Sequence, residues 1–197
     1  MKGEARVAYD EFLHRMDAAQ VASKALREGE RMREFLLPNT EGRLVHSNDL
    51  LAAGPLVVRF FRGEWCPFCS ATLDKLEASL PALTQAGGTL VARTPETGGL
   101  ALRMKRAHGR RYERLADVDL AIAMAFGIVF KTPPLYAALL ARRGVHLAER
   151  SGNPAWLLPV PAAFLVRRDG VIARAWVNVD VTRRAEPDDI MAALRTL

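Results

Sequence analysis

The two cysteines of this 197-residue chain lie three positions apart, in the segment RGEWCPFCSAT from Arg62 to Thr72. Residues three apart share one face of a helix, so Cys69 is well placed to attack a mixed disulfide formed on Cys66. Unpaired N–H groups at a helix start favour the thiolate, which is the nucleophilic form of cysteine. We therefore expect Cys66 and Cys69 to form a catalytic redox pair.

Other uses of a C-x-x-C pair fit this sequence less well. A structural zinc site needs four ligands, and the four histidines are scattered along the chain, at His14, His46, His108 and His146. Haem attachment requires a histidine directly after the second cysteine, where this chain has Ser70. We therefore expect no metal and no cofactor, and two inert core cysteines remain an alternative.

The motif must be positioned by the elements on either side of it. An apolar run predicts a buried strand over Gly54–Phe61, and leucines at helical spacing predict a helix over Cys66–Gln85. Pro81 is expected to kink or interrupt that helix. The redox pair would then lie at a strand-to-helix junction, directly after Trp65.

Strands and helices alternate along the rest of the chain, which predicts an α/β fold with a central sheet covered on both faces. A hairpin is predicted over Phe35–Val45, and a second hairpin turns at Asp169-Gly170. The other predicted elements are strands in Thr89–Thr94 and Tyr112–Val118, and helices over Leu100–His108, Leu120–Phe126, Thr132–Arg143 and from Pro187 onward.

The first 30 residues are expected to form an amphipathic helical extension, followed by a redox domain over residues 31–197. Apolar side chains in Ala5–Arg27 recur at helical spacing, and Gly29 is a plausible stop. This helix either packs on the core of the chain or provides the contact surface of a homodimer.

Charge and hydropathy limit the partners and the compartment. The formal net charge is +6, and a basic cluster over residues 103–114 (RMKRAHGRRYER) carries only one aromatic residue, Tyr112, and no nucleic-acid-binding motif. We interpret the cluster as a solvated helix and loop with His108 on the surface. A surface for an acidic partner or substrate is the alternative. The N-terminus is too charged for a signal peptide, and no apolar run is long enough to span a membrane, so we expect a cytoplasmic protein without membrane or nucleic-acid partners.

The segment FFRGEWCPFC resembles the active-site segment of the thioredoxin fold, a central mixed β-sheet flanked by helices. The segment VPAAF, over Val160–Phe164, resembles that superfamily's second landmark, a cis-proline that faces the dithiol. The resemblance implies that Trp65, Pro67 and Pro161 shape the substrate groove, with a cis bond before Pro161. Trp156 is a further candidate for lining that groove.

The stretch from Met32 to Leu197 resembles peroxiredoxin-like proteins of the alkyl hydroperoxide reductase/thiol-specific antioxidant (AhpC/TSA) family. The resembling segments include GPLVVRFFRGEWCPFC and PVPAAFLVRRDG. Aligned with the family's P-x-x-x-T-x-x-C motif, the peroxide-attacking cysteine is Cys69. Three supporting residues differ, since Arg62 stands at the Pro position, Cys66 at the Thr position and Pro161 at the Arg position.

The buried acid of thioredoxins is also replaced, by Phe60, six positions before Cys66. The base that deprotonates Cys69 is therefore not identified by the motif. Glu64 is near in sequence, and we expect it to be exposed.

These comparisons lead to three hypotheses. The first is a thiol–disulfide oxidoreductase in which Cys66 attacks a protein or small-molecule disulfide and Cys69 resolves the mixed disulfide. The second is a thiol peroxidase in which Cys69 is the peroxidatic and Cys66 the resolving cysteine, with a thioredoxin- or glutathione-type reductant. The third is a redox-sensing binding module that uses the basic cluster as its contact surface.

Overall fold

The computed structural model of the chain describes residues 3–97, 99–100, 102–103, 109 and 111–197. The helices are α1 (Glu4–Ala18), α2 (Ser47–Ala53), α3 (Pro67–Gln85), α4 (Ala121–Ala125), α5 (Pro134–Arg142), α6 (Leu147–Ser151) and α7 (Pro187–Leu194). The strands are β1 (Leu36–Pro38), β2 (Leu44–His46), β3 (Leu56–Phe60), β4 (Thr89–Thr94), β5 (Glu113–Ala116), β6 (Val129–Lys131), β7 (Leu157–Pro159), β8 (Ala162–Val166) and β9 (Ile172–Val177).

The central sheet has five strands in the order β5-β4-β3-β8-β9. Strands β3, β4 and β5 are parallel, whereas β8 is antiparallel to both β3 and β9. The sheet is therefore mixed, and the predicted thioredoxin-like α/β fold is confirmed. Strand β3 lies in the middle and is buried along its whole length, which explains its run of apolar residues.

The predicted hairpins and the long helix are present. Strands β1 and β2 pair in antiparallel register, and β8 joins β9 through the turn at Asp169-Gly170. Helix α3 runs without interruption through Pro81, which sits inside it. Its buried side chains pack against the sheet and α7, and they are Cys69, Thr72, Leu73, Leu76 and Leu83.

Helix α1 packs on the core of its own chain. Phe12 is 2% exposed, and its ring lies 4.6 Å from the ring of Tyr136 in α5. The Tyr9 hydroxyl donates a hydrogen bond of 2.9 Å to Asp180 Oδ1. The helix ends at Ala18, earlier than predicted, and Gln20 beyond it has a φ of 47°. The core-packing alternative is thus what the structure shows, and a dimer contact through α1 would have to use its outer surface.

Three short elements were not predicted from the sequence. They are strands β6 and β7, which pair with each other, and helix α6. Phe130, Leu158 and Leu147 from these elements belong to the same core cluster as residues of α5. Of the predicted helix Leu100–His108, residues 101 and 104–108 lie outside the described residues. Within the described ranges, no helix has both the length and the apolar character needed to cross a lipid bilayer.

Candidate active site

The connection between β3 and α3 needs a glycine at position 63. Gly63 has a φ of 141°, a backbone conformation that other residues rarely adopt. A Cβ atom there would lie 2.5 Å from Trp65 Nε1 and 2.9 Å from Glu96 Cδ. The tight turn lets the Cys66 N–H donate to the Gly63 carbonyl at 3.2 Å, so that Cys66 becomes the N-cap of α3.

The two cysteines lie in the first turn of α3 and are almost fully buried. Cys66 is 0% and Cys69 1% exposed, and both are free thiols. Pro67, between them, occupies the first helical position and points to the surface. Proline suits this position because its fixed φ matches the helix and its missing N–H would be unpaired there anyway.

A different arginine faces each sulfur. Arg62 Nη2 donates a hydrogen bond of 3.1 Å to Cys66 Sγ. Arg184, from the segment before α7, places its Nη2 at 3.6 Å from Cys69 Sγ. Two guanidinium groups therefore flank one dithiol in a site that excludes most water, where a charge interaction is stronger than at the surface.

The electrostatic environment assigns the negative charge of the pair to Cys69. Burial opposes ionisation of Cys69, but the hydrogen bond from Cys66, the charges of Arg184 and Arg62 and the Arg62 backbone N–H together hold its pKa well below the usual value. Hydrogen bonding with Cys69 and burial raise the pKa of Cys66 above its usual value, despite the nearby Arg62. The pair thus loses its first proton from Cys69 and keeps Cys66 as the thiol.

Arg62 is held by aromatic side chains from two elements. Its Nη1 donates to the Tyr136 hydroxyl at 3.0 Å, and its Cζ lies 5.1 Å from the centre of the Trp65 ring. Trp65 is half-buried and packs against the core cluster that includes Cys66 and Cys69. Its groove-shaping role stays a prediction, and Tyr136 is a partner of Arg62 that no motif indicated.

Glu64 is buried, which corrects the expectation that it is exposed. Its side chain is 0% exposed and forms an ion pair with Arg114, whose side chain is equally buried. The carboxylate is drawn inward because Arg114 on β5 needs a counter-charge in the interior. Arg114 itself belongs to the basic cluster, so that part of the cluster is internal.

A second buried acid, Glu96, lies beside the motif. Its Oε2 accepts the Glu64 backbone N–H at 3.0 Å, and its Oε1 accepts from Arg150 Nη1 in α6 at 3.1 Å. Burial raises the pKa of Glu96 to about 7, Arg150 and Thr94 oppose the rise, and the charge of Cys69 adds to it. A buried acid is therefore present near the dithiol, but it follows β4 instead of occupying position 60 in β3.

Pro161 is buried at the start of β8 and lines one cavity together with Arg184. Its peptide bond is trans, since the described residues contain no cis peptide, so the expected cis bond is wrong. Trp156 is 41% exposed and lines a different cavity, with Pro133 and Pro134 and without Pro161 or Arg184, so it does not share the groove.

The remainder of the basic cluster is only partly described. Arg111 donates through Nε to Glu77 Oε1 at 2.9 Å, which ties the end of the cluster to α3. His108 lies outside the described residues. Within the described part of the chain, no three His, Cys, Asp or Glu side chains come close enough to hold a metal ion.

Comparison with solved structures supports the same fold. Peroxidoxin BcpB from Mycobacterium tuberculosis is 16% identical with a TM-score of 0.69, and the match covers 87% of this chain and 98% of that one. A reduced 2-Cys peroxiredoxin from Plasmodium vivax is 13% identical, with a TM-score of 0.66 and coverages of 86% and 80%. Peroxiredoxin Q from Xanthomonas campestris is 21% identical, with a TM-score of 0.63 and coverages of 82% and 90%.

The family assignment follows from the sequence itself. No curated protein is similar enough in sequence to count as a relative. The model of the AhpC/TSA family, however, matches residues 29–175, which include both cysteines and Pro161. This match is most of the chain, and it agrees with the resemblance noted in the motifs. The chain therefore belongs to the AhpC/TSA family and is an oxidoreductase.

Proposed function

We propose that the protein is a thiol peroxidase in which Cys69 attacks the peroxide and Cys66 resolves the product. The observation that carries this proposal is the Arg184 guanidinium 3.6 Å from Cys69 Sγ, in surroundings that lower the pKa of Cys69 and raise the pKa of Cys66. Thiol–disulfide exchange begun by Cys66, our first hypothesis from the sequence, would instead need the lower pKa on Cys66. Family membership also favours the peroxidase.

The reaction proceeds in two balanced steps. The Cys69 thiolate attacks the distal oxygen of the peroxide, the O–O bond breaks, and the leaving alkoxide or hydroxide takes up a proton to form an alcohol or water. Cys69 is thereby oxidised by two electrons to sulfenic acid. The Cys66 thiol then attacks the sulfenic sulfur, a Cys66–Cys69 disulfide forms and water leaves. A dithiol or two thiols, of the thioredoxin or glutathione type, would restore the reduced pair.

The three family residues that the chain lacks have replacements of suitable chemistry. Arg184 supplies a guanidinium at Cys69 and lines the same cavity as Pro161, which stands at the family's Arg position. Cys66 supplies a hydrogen-bond donor to Cys69 where the family has Thr. Arg62, at the Pro position, adds positive charge to the same pair. These groups support the negative charge that develops on sulfur and oxygen during attack.

The proposal is tested by measuring turnover with two oxidants and one reductant. Catalytic amounts of the protein are mixed with dithiothreitol and either hydrogen peroxide or insulin disulfides. We expect multiple turnovers of peroxide that are lost in Cys69→Ser, and little insulin reduction. Faster reduction of insulin than of peroxide, abolished by Cys66→Ser, would establish disulfide exchange instead. A single oxidation without turnover of either would favour the redox-sensing module.

A further inference from the structure

A cavity with an arginine-rich lining includes Arg184, the arginine that contacts Cys69. Its volume is about 240 Å³. It is lined by Arg59, Pro161, Ala175, Trp176, Arg183 and Arg184, among others. The cavity is smaller than the sites of about 300–1,000 Å³ that take drug-sized ligands, so it suits a small molecule.

Two of the three arginine side chains that line this cavity have guanidinium nitrogens without a partner among the described residues. Arg59 is 1% exposed, and neither its Nη1 nor its Nη2 has a partner among the described residues. Arg184 uses Nε for the Val181 carbonyl and Nη2 for Cys69, while its buried Nη1 has no partner in the described part of the chain. A buried charged donor without a partner is costly, so an arrangement of this kind points to a group that arrives from outside.

Arg59 occupies an unusual place for a charged residue. It is the fourth of the five residues of β3, whose other residues are apolar, and pairs in register with Ala92 on β4 and Ala163 on β8. These small neighbours leave room for the long side chain. Burial and the charge of Arg184 lower the pKa of Arg59 to about 10, while Cys69 and Glu186 raise it, so the guanidinium is charged at neutral pH.

The acids near the cavity leave its positive charge unbalanced. Asp180 lies 3.8 Å from Arg183 Nε, and its Oδ1 accepts hydrogen bonds from Tyr9 and Thr182. Glu186 forms an ion pair of 2.7 Å with Lys75 on the outer face of α3. Neither carboxylate satisfies the free guanidinium atoms of Arg59 and Arg184.

We propose that Arg59, Arg183 and Arg184 bind the carboxylate of a small organic hydroperoxide and thereby present its O–O bond to Cys69. A carboxylate matches the planar fork of a guanidinium and accepts paired hydrogen bonds from it. The same Arg184 that contacts Cys69 lines the cavity, so an anion held there would share one guanidinium group with the reacting sulfur. This inference rests on the proposed peroxidase function and specifies the class of its substrate.

The test uses two hydroperoxides that differ only in charge. In 3-hydroperoxy-3-methylbutanoate, a carboxylate replaces one terminal methyl of tert-pentyl hydroperoxide. The rate of oxidation of the reduced protein by each is measured by stopped flow. We expect the carboxylate to react about tenfold faster or more, the effect of one strong charged hydrogen bond. A ratio near one or below would overturn the proposal.

Variants of the lining arginines test whether the cavity causes the preference for the hydroperoxide that carries a carboxylate. The ratio of the two rates cancels any change in the reactivity of Cys69 itself. It should fall toward one in Arg59→Gln, and in Arg183→Gln, where the exposed position avoids a folding defect. Arg195→Gln removes the same charge from an exposed site at the end of α7 and should leave the ratio unchanged. An equal fall of the rate ratio in Arg195→Gln would mean that the preference follows the net charge of the protein. The proposed site would then be wrong.

A binding measurement separates failure of the site from failure of the peroxidase. The product alcohol, 3-hydroxy-3-methylbutanoate, carries the carboxylate but cannot oxidise a thiol. We expect it to shift the indole N–H resonance of Trp176 saturably in the wild type and not in Arg59→Gln. Saturable binding without fast oxidation by either hydroperoxide would refute the peroxidase but keep the anion site. Fast oxidation at equal rates by both hydroperoxides, without binding of the alcohol, would support the peroxidase and refute the anion site.

A further measurement tests whether the carboxylate that binds in the cavity belongs to the hydroperoxide or to the reductant. Glutathione also carries carboxylates and could place one in this cavity when it reduces the Cys66–Cys69 disulfide. If Arg59→Gln slows reduction by glutathione and leaves the hydroperoxide ratio unchanged, the cavity serves the reductant and the hydroperoxide proposal is wrong.

Discussion

The reactivity of Cys69 depends on side chains that lie far from it along the chain. Arg184 is 115 positions away and reaches the sulfur because the segment after β9 returns to the start of α3. The motif alone identified both cysteines, Trp65 and the alignment of Cys69 with a peroxidatic cysteine. Arg184 carried no motif signal, since an arginine in a polar segment is common and only the tertiary fold gives it a partner.

Replacing Arg184 by methionine should raise the pKa of Cys69. The guanidinium stabilises the thiolate, so its removal favours the thiol by about 1.4 kcal/mol for each pKa unit. The measurement is thiolate absorbance at 240 nm against pH, in a Cys66→Ser background where only one thiol titrates. We expect the titration midpoint to shift to higher pH, and oxidation by peroxide to be slower at neutral pH.

Arg195→Met in the same background is the matched control, because it removes an equal charge at an exposed site. An unchanged titration curve in Arg184→Met, or an equal shift in the control, would show that Arg184 does not stabilise the Cys69 thiolate.

At the scale of elements, the long periodic segments were predicted well, whereas three of the short elements were missed. Strand β3 and helix α3 follow from apolar composition and leucine spacing, which are local properties. The pair β6–β7 and α6 are three to five residues long, too short for a period to appear, and they form because tertiary contacts hold them. The roles of Glu96 and Gly63 were also missed, because they depend on tertiary contacts. The loop between β3 and α3 meets the loop that follows β4 at these two residues.

Glu96 makes the link between the end of β4 and α6 sensitive to pH. Its pKa is about 7 in the folded protein and near 4.5 as an ordinary glutamate. Between these two pH values the carboxyl is protonated in the folded state and ionised in the unfolded state. Its contribution to stability is therefore complete below about pH 4.5 and is lost as the pH rises through about 7, by up to about 1.4 kcal/mol per pH unit.

The test compares urea unfolding of the wild type and Glu96→Gln from pH 5 to pH 8. We expect the wild type to lose stability relative to Glu96→Gln as the pH rises, because glutamine stays neutral. Parallel stability curves for the two proteins would mean that Glu96 is ionised throughout this range.

Helix α1 contributes to the core through Phe12. This side chain is 2% exposed and stacks on Tyr136, whose hydroxyl accepts from Arg62. Phe12→Ala should therefore lower the free energy of unfolding by about 3–5 kcal/mol, the usual effect of removing a buried phenylalanine. Val7→Ala, at a position 65% exposed on the same helix, is the control. Equal small effects of the two changes would place α1 outside the cooperative core.

At the scale of the whole molecule, the topology brings the reactive groups to one end of the central sheet. Strands β3 and β4 are parallel, so Cys66 and Glu96 follow their adjacent carboxyl ends. Strand β8 is antiparallel to β3 and starts at this end, with Phe60 opposite Ala162, and β9 finishes there beside it. Arg184 thus meets Cys69, and Pro161 lines the same cavity as Arg184. The groove-shaping role that the family resemblance implies for Pro161 stays a prediction.

The central claim is that peroxide oxidises Cys69 and not Cys66. The most direct measurement is mass spectrometry of reduced Cys66→Ser and Cys69→Ser after one equivalent of hydrogen peroxide in the presence of dimedone, which traps sulfenic acids. We predict a dimedone adduct on Cys69 in Cys66→Ser, formed far faster than on free cysteine, and no such fast adduct on Cys66 in Cys69→Ser. A fast adduct on Cys66, with Cys69 no more reactive than free cysteine, would contradict the account.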